Sequence, residues 1–296
     1  MKPAPFDYHR PDTADEALAI LADLGGDAKP LAGGQSLVPA MNFRLARPAV
    51  LVDLNRIAPL AYIEESPDGG LLIGAMTRQR AAERSGRVAR KAPLLFEALP
   101  WIAHPQIRNR GTMGGSLAHA DPAAELPAVM LALDARFVLR SRTASRTVPA
   151  HDFYTGILTT VLGPDELLSE IRIPPRPARA GFAFIELARR HGDFALVGVA
   201  VDLALDQRGA CASARIALLS VGDGPVLAAK AMAVLVGGIP HAASIEEAAR
   251  IAAETDVDPP ADIHASSAYR RHLVRVLVGR ALTQAVERAA RGRDPA

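Results

Sequence analysis

What the chain has little of narrows its function first. There is one cysteine, Cys211, in 296 residues. A single thiol closes no intrachain disulfide and cannot hold an iron–sulfur cluster, so a reducing, cytoplasmic setting is expected. Aromatic residues make up only 4%, while the apolar 49% is largely Ala, Leu and Val. The core is therefore expected to be built from small aliphatic pieces, with few stacking platforms for nucleic-acid bases. No apolar stretch reaches the roughly 18–20 residues of a membrane helix. The nearest approach, residues 231–239, is broken by Gly237-Gly238 and ended by Pro240. Residues 1–10 lack an apolar signal region.

Charge of one sign is also lacking. The 34 basic and 32 acidic residues leave a net +2, and the Arg-rich stretch 78–91 is interrupted by Glu83. It reads as a solvated helix face, and nucleic acid is not an expected partner. The eight histidines are scattered singly. Motifs of the types G-x-G-x-x-G, Walker A, H-E-x-x-H, C-x-x-C and G-x-S-x-G are missing. A Rossmann turn, a metal site and a nucleophile–base pair are therefore not expected, and no residue is assigned a catalytic role.

The length exceeds a single core, so two or three units are expected. Thr13 and Glu16 stand in capping-box spacing before a helix carrying Ala17, Leu18, Leu21 and Leu24, which Gly25-Gly26 stops. Short strands are expected at 29–32 and 49–54, and a hairpin at 62–64 and 71–73 around Ser66-Pro67-Asp68-Gly69-Gly70. Helices follow at 77–89 and 94–103, then an irregular polar segment at 104–121. A helix at 123–133 and strands at 136–140 and 167–173 lead to Pro174-Pro175-Arg176-Pro177, the best linker. Beyond it, three strand-like runs (183–187, 196–205, 214–221) precede a helical remainder with a long amphipathic run at 266–288. A boundary falls near residue 176.

Two glycine-rich loops could carry chemistry. The first runs Leu31, Ala32, Gly33, Gly34, Gln35, Ser36, Leu37, and the second contains Thr112, Gly114, Gly115 and Ser116 before the 123–133 helix. Paired glycines let backbone N–H groups converge on an anion, and each loop has hydroxyls beside it. The second is expected to offer the same apparatus as the first, with a helix N-terminus nearby. Neither loop contains Lys or Arg, so backbone N–H groups would carry most of the work. That suits the pyrophosphate of a bound cofactor better than a transferred phosphoryl group. Each loop also reads as an ordinary tight turn.

The string from Ala32 to Leu37 and the string from Thr112 to Pro127 resemble the two FAD-binding loops of the medium subunit of molybdenum hydroxylases. That family includes the aerobic carbon monoxide dehydrogenase flavoprotein and the flavin domain of xanthine dehydrogenase. Arg189-Arg190-His191-Gly192-Asp193-Phe194-Ala195 resembles a third segment of the same family. The likeness covers nearly the whole chain. It implies an α+β protein: a vanillyl-alcohol-oxidase-like (PCMH-type) FAD-binding domain at 1–176, in subdomains of about 1–57 and 58–176. A C-terminal α+β domain at 177–296, with a three-stranded antiparallel sheet, would follow.

The resemblance further implies FAD extended between the subdomains, its pyrophosphate on the loops at 32–37 and 112–116. Asp121 and Glu125 would hydrogen-bond its ribityl, ribose or adenine portion, and His119 of the same string is placed among the contacts. An N-cap for the following helix is the competing reading of Asp121. Ile102 and Leu168 match apolar positions against adenine or flavin, with plain core as the alternative. Asp193 and Phe194 are candidates for the redox end. Three departures stand out: Ser116 where relatives often have Asn, Gln35 where the carbon monoxide enzymes often have His, and Ile185-Glu186 where the xanthine enzymes have a Lys.

The family's division of labour puts molybdopterin on a large partner subunit and two 2Fe–2S clusters on a small one, in a dimer of heterotrimers. This chain would accept electrons and pass them to a quinone, NAD or dioxygen. One rival is a self-contained FAD-dependent reductase or oxidase using NAD(P)H, for which Tyr154 or His151 would be the acid. The other is a non-enzymatic scaffold with both loops empty.

Overall fold

Thr13 caps the first helix as its spacing predicts: its hydroxyl accepts from the Glu16 N–H at 3.2 Å. The Glu16 carboxylate reaches one residue further back than a capping box requires, to Asp12 N–H. The computed structural model describes residues 2–292. In it β1 (Asp7–His9), α1 (Ala14–Leu24), β2 (Ala28–Leu31), α2 (Leu37–Asn42) and β3 (Val50–Asp53) form the first unit. Its sheet is parallel, in the order β1-β3-β2. All of β3 is buried, so its hydrophobic run was legible; β1 is exposed along its length and has no pattern to find.

The second unit comprises β4 (Ile63–Glu65), β5 (Leu71–Gly74), α3 (Gln79–Glu83), α4 (Gly86–Lys91), α5 (Pro93–Ala98), α6 (Pro105–Arg110), α7 (Met113–His119) and α8 (Glu125–Ala132). It continues with β6 (Arg136–Arg140), β7 (Ser145–Pro149), α9 (Ala150–Phe153), β8 (Tyr154–Gly156), β9 (Thr159–Thr160) and β10 (Leu167–Ile173). Its main sheet is antiparallel in the order β4-β5-β10-β6-β7. Three expectations change here. The helix expected at 77–89 breaks where Ser85 caps α4 through Val88 N–H. The one expected at 94–103 ends at Ala98 and tightens into a 3-10 turn, Leu99–Trp101. The segment 104–121, expected to be irregular, is two short helices. Pro105 opens α6 and Thr112 caps α7, so local start signals outweigh the glycines.

No regular element lies between Ile173 and Ala180. The third unit contains β11 (Ala180–Leu187), β12 (Val197–Leu205), β13 (Cys211–Leu219), β14 (Val226–Leu227), α10 (Ala229–Leu235), α11 (Ala242–Ile251) and α12 (Ser267–Arg291). The expected three-stranded sheet has four strands, β11-β12-β13-β14. The fourth is a two-residue edge too short to carry a pattern. Alternation splits this sheet between two cores. Phe182, Phe184, Ala200, Ala217 and Leu219 join the core of the second unit, while Ala183, Val199, Val201, Ile216 and Leu218 pack beneath the C-terminal helices. Gly181 lets α12 close on β11, since a side chain there would strike the Ala285 carbonyl. Arg288 of α12 donates to Phe182 O, lies 4.6 Å over the Phe182 ring and pairs with Glu97 of α5 at 2.7 Å. The Glu97 carboxylate also accepts from Phe184 N–H, so this junction binds three elements from two units.

Candidate cofactor site

The first glycine loop links β2 to α2 and is held from behind. Asn55 donates from its side chain to Ala32 O at 2.9 Å, while its own N–H and amide are fixed by the Asp53 carboxylate. The Tyr8 hydroxyl donates to Asp53, and Arg78 donates to Asn55 Oδ1 and to Arg110 O. Burial works against the Asp53 charge, but the hydrogen bonds from Tyr8 and Asn55 outweigh it and hold the carboxyl below its usual range. Gly34 takes φ +74°, a left-handed conformation suited to glycine. With its carbonyls anchored this way, the loop leaves its donors free. Among the described residues, no backbone N–H from 32 to 37 donates a hydrogen bond, and the Ser36 side chain makes no capping bond to α2.

The second loop differs, which corrects the reading that both offer the same apparatus. Helix α7 begins inside the motif, and its first amides are already used. Met113 N–H donates to Thr77 O at 2.9 Å, Gly114 N–H to Ala75 O at 2.8 Å, and Gly115 N–H to the Thr112 hydroxyl at 3.0 Å. Gly114 has no room for a side chain, because a Cβ there would sit 2.9 Å from the Ala75 Cα. The second string is thus a rigid wall. The first string lies against it: a Cβ on Gly33 would collide with Arg110 O and come within 2.8 Å of the Gly111 Cα. One on Gly115 would stand 3.2 Å from the Ala32 side chain.

The third string packs on the 103–104 turn and joins the second string at one point, through Ser220. Gly192, at φ +89°, is pressed so closely on the 103–104 turn that a Cβ would lie 2.7 Å from His104 Nδ1 and 2.9 Å from Ala103 O. His191 stacks on Trp101 with ring centroids 5.4 Å apart. Further along, the Ser220 hydroxyl donates to Ala195 O at 2.7 Å while Ser220 N–H donates to Pro122 O at 2.8 Å. Ser220 therefore ties the ends of both strings together. Arg108, buried and held by Glu83 through two hydrogen bonds at 2.9 and 3.1 Å, donates to Ile102 O and fixes the turn that carries it.

The remaining candidates fall on this junction with unequal roles. Ile102 and Leu168 are both buried members of the second unit's core. Asp121 does not cap α8, whose N-cap is Ala124. Its carboxylate accepts from Ala123 N–H at 2.9 Å in the turn before the helix. His119 closes α7, and burial lowers its pKa against the pull of Asp121. Glu125, 8% exposed, is pushed up to about 7 chiefly by burial. Phe194 is 71% exposed, the opposite of a core aromatic, and Asp193 is exposed beside it. Tyr154 packs on Phe153 and Phe137 with its hydroxyl buried and unpartnered, whereas His151 is exposed.

Sequence reasoning missed Asn55, Arg78 and Ser220. Neither loop contains a cation, and Arg78, outside both, reaches Arg110 O and the Asn55 side chain that holds Ala32 O. None of the three lies in a recognisable string; the only signal was Asn55 two residues after Asp53, the end of a buried strand. The arrangement fits the diphosphate of an extended cofactor. A run of unpartnered backbone donors lies in a loop that is pressed at Gly33 against the Arg110–Gly111 backbone and held at Ala32 by Asn55.

Residues 4–176 match the family model described as FAD binding domain in molybdopterin dehydrogenase, and residues 182–285 match the CO dehydrogenase flavoprotein C-terminal domain. The chain is 45% identical to the 6-hydroxypseudooxynicotine dehydrogenase complex subunit alpha of Paenarthrobacter nicotinovorans, over 98% of this chain and 97% of that one. It is 42% identical to the carbon monoxide dehydrogenase medium chain of Afipia carboxidovorans, over 98% and 99% of the two. Carbon monoxide dehydrogenase from Hydrogenophaga pseudoflava superposes with a TM-score of 0.94 at 40% identity, covering 97% of this chain and 99% of that one.

Proposed function

The chain belongs to the family of FAD-binding medium subunits of molybdenum hydroxylases, and from that membership we propose how it works within such a complex. It is an oxidoreductase subunit with an FAD-binding domain. In our reading, the chain has an FAD-binding domain at 1–176 and a C-terminal domain at 177–296, and FAD lies extended between the subdomains of the first, about 1–57 and 58–176. Electrons arrive from 2Fe–2S clusters on a small partner subunit, after substrate oxidation on a large molybdopterin subunit, and leave to a quinone, NAD or dioxygen. The assembly is a cytoplasmic dimer of heterotrimers. Among the described residues no helix is long and apolar enough to cross a membrane.

The observation that carries this reading is the run of unpartnered N–H groups from 32 to 37, aligned against the Arg110–Gly115 wall. Those amides, with the hydroxyls of Ser36 and Ser116, bind the pyrophosphate. Leu31 and Leu37 flank that cradle, and Gln35, whose amide donates to Gly33 O at 3.1 Å, stiffens it. Thr112, Gly114 and Gly115 fix the facing surface. Ile102 and Leu168 supply apolar contact, and His119, Asp121 and Glu125 supply polar contact beyond the pyrophosphate. Asp193 and Phe194 border the redox end, where bound FAD supplies the two-electron to one-electron exchange. The protein's part is to hold, orient and shield.

The test is an absorbance spectrum of the purified chain after incubation with FAD and gel filtration, alone and co-expressed with its partner subunits. Flavin bands retained by the chain or the complex are expected. A colourless complex would overturn the reading.

A further inference from the structure

Helix α2 ends in a turn that holds two apolar side chains away from the protein. Leu45 N–H donates to Ala40 O and Arg44 N–H to Met41 O, both at 2.9 Å, which closes the helix in a Schellman motif. Arg44 takes the left-handed position of that motif, at φ +59°, where glycine is usual and a side chain is strained. In such a turn the residue at the Leu45 position frequently packs back on its own helix. Here Leu45 is 84% exposed, and Phe43, one residue before Arg44, is 66% exposed. Arg47 donates from Nε to Arg44 O at 3.0 Å and stiffens the turn further. A well-bonded backbone thus presents both side chains to solvent, and Val38 on the same helix is exposed as well.

The surroundings of this pair carry one sign of charge. No Asp or Glu occurs between Asp27 and Asp53, a stretch that holds Lys29, Arg44 and Arg47. Arg44 also donates to Lys2 O at 3.5 Å, which brings the N-terminal segment to the same turn. Among the described residues, none of Lys2, Arg44 and Arg47 is ion-paired. Exposed apolar side chains beside unpaired cations fit a protein face with an apolar pocket and an acidic rim. Position and charge select the partner. Val38 N–H donates to Gly34 O at 3.2 Å, and its side chain stands 3.3 Å from where a Gly34 Cβ would be, so α2 is continuous with the cofactor cradle. A subunit that delivers electrons must dock beside the cofactor it reduces, and 2Fe–2S clusters, held by thiolates, are anionic. We propose that the α2 turn, with Phe43 and Leu45 at its centre and Arg44 and Arg47 beside them, is the docking surface for the iron–sulfur partner subunit. This rests on the partner assignment made under the proposed function.

The test uses the complex of this chain with its partner subunits. With p-benzoylphenylalanine in place of Leu45, the co-expressed complex is irradiated and the products are located by mass spectrometry. A cross-link to the iron–sulfur subunit is expected. A cross-link to the molybdopterin subunit or to a second copy of this chain, or none at all, would overturn the proposal. Leu45→Glu is expected to weaken assembly by about tenfold or more, read by native mass spectrometry over a dilution series, with the melting temperature of the free chain unchanged. Arg44→Gly separates folding from docking. It suits the left-handed position and should hold or raise that melting temperature, yet make the complex weaker and less sensitive to salt. Wild-type assembly in both variants would overturn the proposal. A colourless complex that still gives the cross-link to the iron–sulfur subunit would overturn the cofactor reading and leave the docking surface standing.

Discussion

At the scale of single residues, two positions decide whether the first loop can act. Gly33 touches the Arg110 carbonyl and the Gly111 Cα so closely that any side chain must push the two strings apart. Gly33→Val is expected to abolish flavin retention on gel filtration, with circular dichroism close to wild type because the displaced residues 32–36 lie outside the helices and strands. Asn55 is the tether of Ala32. Asn55→Ala should release the loop, weaken FAD binding about tenfold in fluorescence titration and cost about 1 kcal/mol in urea unfolding. The buried acids make a pH prediction. Glu186 is held up to about 8 and Glu125 to about 7, both chiefly by burial, and Asp202 to about 7 by burial against Arg176 and Arg215. Their unfolded values lie near 4, so between those limits the folded chain binds the extra protons. Stability of the flavin-free protein should therefore fall as pH rises from about 5 to about 8. Glu186→Gln should flatten part of that fall in a series of melting curves. The glycine strings were legible because their residues are consecutive. Asn55, Arg78 and Ser220 were not, because each meets its partners only after the chain has folded.

At the scale of elements, α7 shows how a helix hides in a glycine motif. Propensity argues against Met113-Gly114-Gly115, yet Thr112 caps it and the Ala75 backbone packs where a Gly114 side chain would be. Thr112→Ala is expected to destabilise the protein by about 1 kcal/mol, with Thr112→Ser restoring most of it, measured by chemical denaturation. Strands legible from the sequence were those buried on one or both faces, such as β3, β10 and β12. Those missed include β1 and β7, exposed strands that pair with a buried neighbour, and the two- or three-residue strands β8, β9 and β14, too short to carry a pattern.

At the scale of the molecule, the C-terminal helix braces the site from outside. Arg270, 5% exposed, donates to Leu196 O and, at 3.3 Å, to Ser220 O, and pairs with Asp262 at 2.7 Å. It therefore supports both ends of the bridge that joins the second and third strings. Arg270→Ala leaves those buried acceptors unanswered and is expected to lower stability by about 3 kcal/mol, with flavin retention lost before global unfolding as denaturant rises. The long amphipathic run predicted α12, but its reach to the site is a property of the assembled sheet.

The unequal state of the two loops' amides has a kinetic counterpart. In deuterated water, α7 is already closed by Thr77, Ala75 and Thr112, so its amides are slow to exchange whether or not the site is filled. The amides of 32–37 have no such closure and exchange freely until a ligand covers them. A mass-spectrometric time course on peptides from this loop is thus a clock for cofactor loading, with α7 as its internal standard.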